Sequence, residues 1–388
     1  MTSRSTSFLL NLGHAVDHMF LLIFATAVGS IAVEFGFARW EDLMPYSAGA
    51  FFMFGIGSVP AGRLGDLWGR RPMMVVFFFG MGCSAILVGL VQGPWQLAGA
   101  LVLLGTFASI YHPIGIPMLV QSAANPGFTI GVNGLAGNLG VAIAALATGL
   151  LVKYFGWRMA FIVPGLASIA CGIAFALSAP AEGTPPSKRA GRAVALPEGL
   201  LARIFLIMTL AAAVSSMIFN FTTNGNGQLL AERFRGVIED PAVLGALLAV
   251  VYALASLTQL VVGKLIDRYP LKVVWMPLVA LQVPLFALAA VAEGWALYAL
   301  MVVFMMTVFG AIPFTDALVV RYVDDRMRSR VSGMRLAVAF GISSAAVWAL
   351  GPFVKAAGFQ ALLLLMAGIA VCSVLVVATL PREPQPDV

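Results

Sequence analysis

The stretch Gly62-Arg-Leu-Gly-Asp66-Leu-Trp-Gly69-Arg70-Arg71 separates two apolar runs, and a related stretch follows 201 residues later. The second copy reads Gly263-Lys-Leu-Ile-Asp267-Arg268-Tyr-Pro-Leu-Lys272. Two further correspondences keep nearly the same register: Lys153 and Gly156 recur as Lys355 and Gly358, and Pro113 recurs as Pro313. Because three separate places repeat at one spacing, the sequence predicts two halves built on one plan.

The composition places the chain in a lipid bilayer. Of its 388 residues, 61% are hydrophobic and only 10% are charged, and the mean hydropathy is +0.97. Soluble domains carry about 25% charged residues, and a soluble fold of this composition would expose large apolar patches that aggregate. Soluble globular, disordered, disulfide-rich and nucleic-acid-binding proteins are therefore excluded. The three cysteines lie in apolar runs without metal-ligand spacing, and we interpret them as core residues: Cys83, Cys171 and Cys372.

Hydropathy divides the chain into membrane spans, each of which needs about 20 mainly apolar residues. Twelve such runs centre near residues 20, 54, 82, 107, 140, 168, 215, 253, 281, 308, 342 and 369. The longest break, from Ala179 to Leu200, is rich in Pro, Gly and basic residues and separates six spans from six. The sequence thus predicts an all-α integral membrane protein with two pseudo-symmetric six-helix bundles, residues 1–178 and 202–388, joined by a cytoplasmic linker, residues 179–201.

The distribution of basic residues predicts the orientation. Sixteen of the 23 Lys and Arg residues lie on the side of the N-terminus, six lie on the other side, and Arg335 lies within a span. Basic residues are enriched in cytoplasmic loops. We therefore expect a multi-pass protein of the inner (plasma) membrane with both termini in the cytoplasm.

The Gly62–Arg71 stretch resembles the loop 2–3 signature of the major facilitator superfamily, and the resemblance covers the whole chain. Gly13–Met19 in span 1 and Tyr111–Gly140 across spans 4 and 5 are similar to its fosmidomycin-resistance group of drug exporters. The resemblance implies the major facilitator fold and proton-driven export of small organic compounds. Antiporters of the superfamily often end the glycine-rich run of span 5 with Gly-Pro, which Gly140-Val141 lacks. Import therefore stays open.

Ionisable residues inside the spans are the main functional candidates, because charge is costly in hydrocarbon. Asp17 lies in span 1 with His14 and His18, at the i, i+3 and i+4 spacing that places all three on one helical face. The third histidine of the chain, His112, follows Tyr111 in span 4, and by the resemblance both spans line a central cavity. We expect Asp17 to carry a proton, tuned by His14 and His112.

Two other interpretations of this group stay open. The side chains can simply satisfy one another through hydrogen bonds between helices. Alternatively, His14, His18, His112 and Asp17 can ligate a metal ion, since two histidines at i, i+4 have suitable spacing. That reading makes the protein an importer of a metal ion or small nutrient. Our main prediction contains neither a metal nor a cofactor.

Further polar residues within the spans are expected to bind substrate or form a gate. The end of span 7 carries six polar side chains and two glycines, which either line the cavity or begin an outer loop. Asp316 in span 10 and Arg335 in span 11 lie at matching depth and are expected to form a salt bridge, structural or gating. Together with the histidines, the predicted substrate-binding residues are His18, Tyr111, His112, Asn133, Asn138, Asn220, Thr223, Asn224, Tyr252 and Gln259.

The repeated loop stretch is expected to act as a conformational latch. By the resemblance, Asp66 faces the N-terminus of span 11, whose positive dipole end attracts a carboxylate. Arg70 and Arg71 are expected to pair with acids of neighbouring loops. The predicted latch residues are Gly62, Asp66, Gly69, Arg70, Arg71, Asp267 and Arg268.

The sequence therefore predicts a secondary transporter and not an enzyme. Phosphate-binding loops and nucleotide motifs are lacking, which disfavours an ATP-driven pump. The expected partners are a small-molecule substrate, protons and the lipid bilayer, with no nucleic acid and with the protein as a monomer. Besides the importer, a transport-dead membrane receptor or assembly factor stays open as an alternative.

Overall fold

The computed structural model describes residues 4–121, 123–181, 198–323 and 327–380, and the regular structure in these ranges is helical. Most of the predicted linker, residues 182–197, lies outside the described residues. Span 1 is Arg4–Glu34, and span 2 is divided into Trp40–Leu43, Met44–Ser47, Ala48–Ile56 and Ser58–Trp68. Span 3 is Arg70–Leu90, and span 4 is divided into Pro94–Ala108 and Tyr111–Val120. Span 5 is Pro126–Phe155 and span 6 is Trp157–Ser178.

Spans 7 to 12 follow a similar order, except that span 8 is one continuous helix where span 2 is divided. Spans 7, 8 and 9 are Glu198–Arg233, Pro241–Arg268 and Leu271–Ala289. Span 10 is divided into Gly294–Ala311 and Pro313–Tyr322. Spans 11 and 12 lie on either side of Gly358 within Arg328–Ala378. Ten helices in the described ranges are long and apolar enough to cross a membrane. The broken span 2 and the division at Gly358 bring the total to the predicted twelve, which confirms the fold class.

Glycines form the tight turn between the last two spans of each half. Gly156 follows span 5 with a φ of 84°, and Gly358 follows span 11 with a φ of 77°. A side chain at either position would be strained, because L-residues rarely adopt positive φ. The repeat seen in the sequence therefore corresponds to one repeated turn.

Spans 4 and 10 are both interrupted just before their repeated prolines. In span 4 the first helix ends at Ala108 and the second begins at Tyr111; in span 10 the first ends at Ala311 and the second begins at Pro313. Proline is tolerated in a first helical turn because that turn has N–H groups without intrahelical partners. Each break places an ionisable residue, His112 or Asp316, in the first turn of a helix inside the bundle.

The two halves meet along spans 2 and 11 and along spans 5 and 8. Ser58 Oγ donates to the Gly333 carbonyl at 2.7 Å across the first contact. At Gly62 the backbones approach so closely that a Cβ atom would collide with the Ser329 carbonyl. Large apolar side chains remain exposed on the outside, including Leu177 and Trp95, as expected of helices whose outer faces contact lipid. We call the side with the Gly62–Arg71 turn the signature side and the other the opposite side.

Candidate functional site

Three histidine side chains converge in the middle of the bundle. His14 Nε2 lies 3.1 Å from His18 Nε2, and His18 Nε2 lies 3.4 Å from His112 Nε2. The first pair results from the helical spacing of span 1, and the break in span 4 brings His112 against it. All three side chains are buried. We call these residues the histidine cluster.

Contacts with span 5 and with Tyr111 fix the orientation of the His14 ring. Its Nδ1 atom donates to the Asn133 carbonyl at 2.8 Å, and its ring stacks on Tyr111 with 4.7 Å between ring centroids. The Tyr111 hydroxyl in turn donates to the Leu10 carbonyl at 2.7 Å and accepts from Asn133 Nδ2 at 2.7 Å. A Cβ atom at Gly137 would lie 2.7 Å from His14 Cε1, so the ring depends on this glycine.

Asp17 lies beside the histidine cluster and is fully buried. Its Oδ2 atom is 3.8 Å from His112 Nε2, and neither carboxyl oxygen has a hydrogen-bond partner among the described residues. A buried carboxyl group without such a bond is costly. Such a group inside a membrane bundle is a functional candidate by default.

A small central cavity of about 80 Å³ lies next to the histidine cluster. His18 and His112 from the first half form one wall, and spans 7, 10 and 11 of the second half form the others. The remaining lining residues are Ala212, Ser215, Ser216, Phe219, Ala311, Ile312, Thr315, Asp316, Arg335, Leu336, Ala339 and Phe340. The cavity is therefore mainly apolar, with a polar group on each side.

The polar group of the second half is an ion pair. Arg335 Nη2 donates to Asp316 Oδ1 at 2.6 Å, and both side chains are at least nine-tenths buried. Asp316 reaches the cavity from the first turn after the break in span 10. The two residues that the sequence placed at matching depth are in contact.

The polar end of span 7 is helical and does not begin a loop, since the helix continues to Arg233. Asn220, Thr223 and Asn224 are buried and line a smaller pocket with His18. Their side chains donate to main-chain carbonyls one turn earlier, as in the bond from Asn224 Nδ2 to the Asn220 carbonyl at 2.9 Å. These internal bonds make a polar helix face tolerable in the bundle.

Several predicted substrate-binding residues lie away from the central cavity. Gln259 Nε2 donates to the Phe309 carbonyl at 2.9 Å, and its side chain packs on Gly134, between spans 5 and 8. Tyr252 is buried and directs its hydroxyl to the Thr223 carbonyl at 3.4 Å. Tyr111 and Asn133 support His14 from behind, and Asn138 is buried in span 5.

Sequence reasoning missed several cavity residues. Ser215, Ser216 and Thr315 line the cavity, as do Phe219 and Phe340. The hydroxyl groups stand in apolar runs and carry no motif of their own. The available signal was helical spacing, because Ser216 lies one turn before Asn220 and Thr315 precedes Asp316.

The repeated loop acids contact helix N-termini across the interface between the halves. Asp66 Oδ2 accepts from the Arg330 main-chain N–H at 3.2 Å. Asp267 accepts from the N–H groups of Gly127 and Phe128 at 2.9 and 2.8 Å. Each carboxylate therefore lies at the positive end of a helix dipole of the other half.

The neighbouring basic residues contact mainly oxygen atoms of the backbone. Arg70 is buried and donates to the Pro117 carbonyl at 3.2 Å, and Arg71 donates to the carbonyls of Ala176 and Ala179 at 2.7 and 2.9 Å. The pairing of Arg70 and Arg71 with acids of neighbouring loops stays a prediction. Gly69 joins spans 2 and 3 with a φ of 108°, and Arg268 is exposed at the end of span 8.

Two ion pairs connect the halves on the opposite side, and sequence reasoning missed both. Lys355 Nζ lies 2.8 Å from Asp42 Oδ1, and Lys153 Nζ lies 4.0 Å from Asp240 Oδ2. Lys153 and Lys355 are equivalent in the sequence repeat, so the two pairs are related by the pseudo-symmetry. Lys153 near the end of span 5 pairs with the start of span 8, and Lys355 near the end of span 11 pairs with the start of span 2.

Comparisons with known proteins agree with this architecture. The puromycin resistance protein pur8 of Streptomyces alboniger is 30% identical over 204 residues, 50% of this chain but only 36% of that protein, so the match spans about a third of its length. The multidrug resistance protein MdtG of Proteus mirabilis is 27% identical over 277 residues, 69% of this chain and 68% of MdtG. The human organic anion transporter MFSD10 shares the fold, with a TM-score of 0.75, 14% identity and coverage of 96% and 99% of the two chains.

The family model of the Major Facilitator Superfamily matches residues 10–234 and 237–388. This match covers nearly the whole chain and includes both halves, the histidine cluster and the central cavity. The protein is therefore a multi-pass membrane protein that belongs to the Major Facilitator Superfamily.

Proposed function

We propose that the protein exports a small organic or drug-like compound from the cytoplasm in exchange for protons. The observation that carries this proposal is the central cavity, which has His18 and His112 on one wall, with Asp17 buried next to His112, and the Asp316–Arg335 pair on the other wall. A site between two repeated halves is the arrangement used in alternating access. The chain acts as a monomer in the inner membrane, with both termini and the signature side in the cytoplasm.

The contacts at the two membrane sides support alternating access. On the signature side, Asp66 of the first half binds the start of span 11, and Asp267 of the second half binds the start of span 5. On the opposite side, a second cavity of about 380 Å³ lies between spans 1, 7 and 8, and its lining includes Thr26 and Gln228. This form is therefore closed toward the cytoplasm, and the loop acids act as the latch that maintains it.

Asp17 is the proposed proton carrier. A carboxyl group removed from water favours its neutral form, whereas a nearby protonated imidazole favours the charged form. The 3.8 Å distance between Asp17 Oδ2 and His112 Nε2 permits this coupling. Protonation from one side and release to the other would link proton flow to the rocking of the halves, with His14 and His112 tuning the exchange.

The lining of the cavity and the relatives support a drug-like substrate. Phe219, Phe340 and Leu336 offer apolar contacts, while Arg335 and the histidines offer polar ones, a combination that suits amphipathic small molecules. The related proteins include puromycin and multidrug resistance proteins. The span 1 and span 4 stretches that resemble the fosmidomycin-resistance group add a phosphonate to the compounds worth testing.

The test is drug accumulation in bacterial cells that lack their own efflux pumps. Cells expressing the protein should accumulate less puromycin or fosmidomycin than cells expressing the Asp17→Asn variant at equal membrane levels. A protonophore should remove the difference. Equal accumulation with wild type and variant for every compound in a broad panel would reject the export proposal.

A further inference from the structure

We propose that the histidine cluster is a binding site for a divalent transition-metal ion such as Zn²⁺. The ligands are His14, His18 and His112, whose ring nitrogens that can serve as ligand atoms all lie within 4.8 Å of one another. A metal ion at this position would be a second ligand of the cavity wall, besides the exported organic compound. Its binding does not depend on the direction of transport.

The distances between the nitrogen atoms fit a tetrahedral ion. With Zn–N bonds of about 2.0–2.1 Å, two ligand nitrogens of a tetrahedral site lie roughly 3.3 Å apart. The observed separations are 3.1 Å between His14 Nε2 and His18 Nε2, and 3.4 Å between His18 Nε2 and His112 Nε2. The ligand atoms of His14 and His112 lie within 4.8 Å of each other, and rotation of the buried rings would bring this third pair to the same spacing.

The surroundings of His14 resemble those of a metal ligand. Its Nδ1–H donates to the Asn133 carbonyl at 2.8 Å, which leaves the lone pair on Nε2 pointing toward the other two histidines. Metal-ligating histidines usually donate their second ring N–H to an oxygen in this way. A hydrogen bond alone explains the cluster less well, because one His18 Nε2–H cannot be aligned with both neighbours.

The local charge also favours a cation. Asp17 is fully buried, its Oδ2 lies 3.8 Å from His112 Nε2, and neither of its oxygens has a hydrogen-bond partner among the described residues. A divalent ion held by three neutral imidazoles would otherwise carry uncompensated charge inside the membrane. The carboxylate offsets this charge and lies close enough to approach as a fourth ligand.

The position of the cluster makes the ion accessible. His18 and His112 line the central cavity, so an ion can enter and leave by the route of the substrate. Imidazole ligands suit Zn²⁺, Cu²⁺, Ni²⁺ and related ions, whereas Mg²⁺ and Ca²⁺ prefer oxygen ligands. The site should therefore discriminate against Mg²⁺ and Ca²⁺.

The experiment measures metal binding by purified full-length protein whose affinity tag has been cleaved. Because the chain contains only three histidines, all histidine-based binding reports on this cluster. Wild type should bind one Zn²⁺ per chain in equilibrium dialysis and should give the visible bands of tetrahedral Co²⁺. Each single His→Gln variant should weaken binding by more than about tenfold, and the triple variant should bind none. Thr315→Val, a change elsewhere in the cavity wall, serves as the matched control and should leave affinity unchanged.

A second measurement does not require variants. Diethylpyrocarbonate that enters the central cavity should modify His18 and His112, which line it. Added Zn²⁺ should protect these histidines in wild type, whereas Mg²⁺ should not. Absence of stoichiometric Zn²⁺ in wild type, or binding that survives in the triple variant, would overturn the proposal. Neither assay contains a proton gradient or a drug, and the export assay can be run with a chelator. Failure of the metal site and failure of the proposed export function are therefore distinguishable.

Discussion

Asp66 and Asp267 occupy equivalent positions in the two halves, and each accepts main-chain hydrogen bonds from a helix N-terminus of the other half. Asp66 holds span 11 and Asp267 holds span 5. The same interaction, a carboxylate at a helix N-terminus, therefore connects the two halves at two places on the signature side. Because helix dipoles favour negative charge at their N-termini, the interaction weakens when either carboxylate is neutralised.

The first prediction concerns these two acids. An acid at a helix N-terminus contributes about 1 kcal/mol, so the Asp66→Asn, Asp267→Asn double variant should shift the equilibrium by roughly thirtyfold toward the form open on the signature side. The measurement is labelling of a cysteine placed at Ala339 in the cavity wall, from the signature side, with the native cysteines replaced. Glu293→Gln on the opposite surface is the control, and unchanged labelling in the double variant would contradict the latch.

The second prediction concerns the ion pairs of the opposite side. Lys355 and Asp42 lie 2.8 Å apart and are both partly exposed, so their pair contributes less than about 1 kcal/mol. Asp42→Lys should increase labelling of the same cysteine from the opposite side by a few fold, because two like charges then face each other. Adding Lys355→Asp should restore the wild-type rate. A double variant that labels as fast as the single variant would show that the pair does not hold the halves together.

The third prediction tests the support of His14. A methyl group at Gly137 would lie 2.7 Å from the His14 ring, and overpacking of this kind costs about 1–3 kcal/mol. Gly137→Ala should therefore lower thermal stability and weaken both transport and Zn²⁺ binding. Gly149→Ala lies in the same helix, and its added atom would have no neighbour within 4 Å among the described residues, so this variant should leave all three unchanged. Equal behaviour of the two variants would mean that the ring is not fixed by this contact.

The fourth prediction separates structure from gating in the Asp316–Arg335 pair. Arg335→Met leaves a buried carboxylate without its partner, which typically costs about 3–5 kcal/mol. The protein should unfold at lower denaturant concentration, and Asp316→Asn added to it should recover most of the stability. Transport should stay low in the double variant if the pair also gates the cavity. Full transport with restored stability would assign the pair a structural role alone.

The sequence predicted most of the fold. For the site, it predicted which residues share a face of one helix, but not which residues of different helices meet. Hydropathy and the repeat at one register indicated twelve spans in two halves, because span length is set by the bilayer. The shared face of His14 and His18 followed from helical spacing. The approach of His112 depends on how spans 1 and 4 pack, and the position of Gln259 between spans 5 and 8 depends on glycines of another helix.

Contacts between the halves were the least predictable part. Asp42 and Lys355 are 313 residues apart, and nothing in the local sequence of either residue indicates the other. Asp267 was identified through its repeat partner Asp66, but its helix N-terminal contact required the three-dimensional arrangement. Local pattern fixes helices and their faces; the packing of one bundle against the other decides which faces meet.

Proton movement in proteoliposomes tests whether the protein exchanges an organic compound for protons. Vesicles containing purified protein, a trapped pH dye and a chelator are exposed to a puromycin or fosmidomycin gradient. We expect the compound gradient to drive protons across the membrane in the opposite direction in wild type. Asp17→Asn should abolish this proton flux, whereas Glu293→Gln, on the opposite surface and away from the cavity, should preserve it. Proton flux in Asp17→Asn equal to that of wild type, or compound flux without proton movement in wild type, would contradict it.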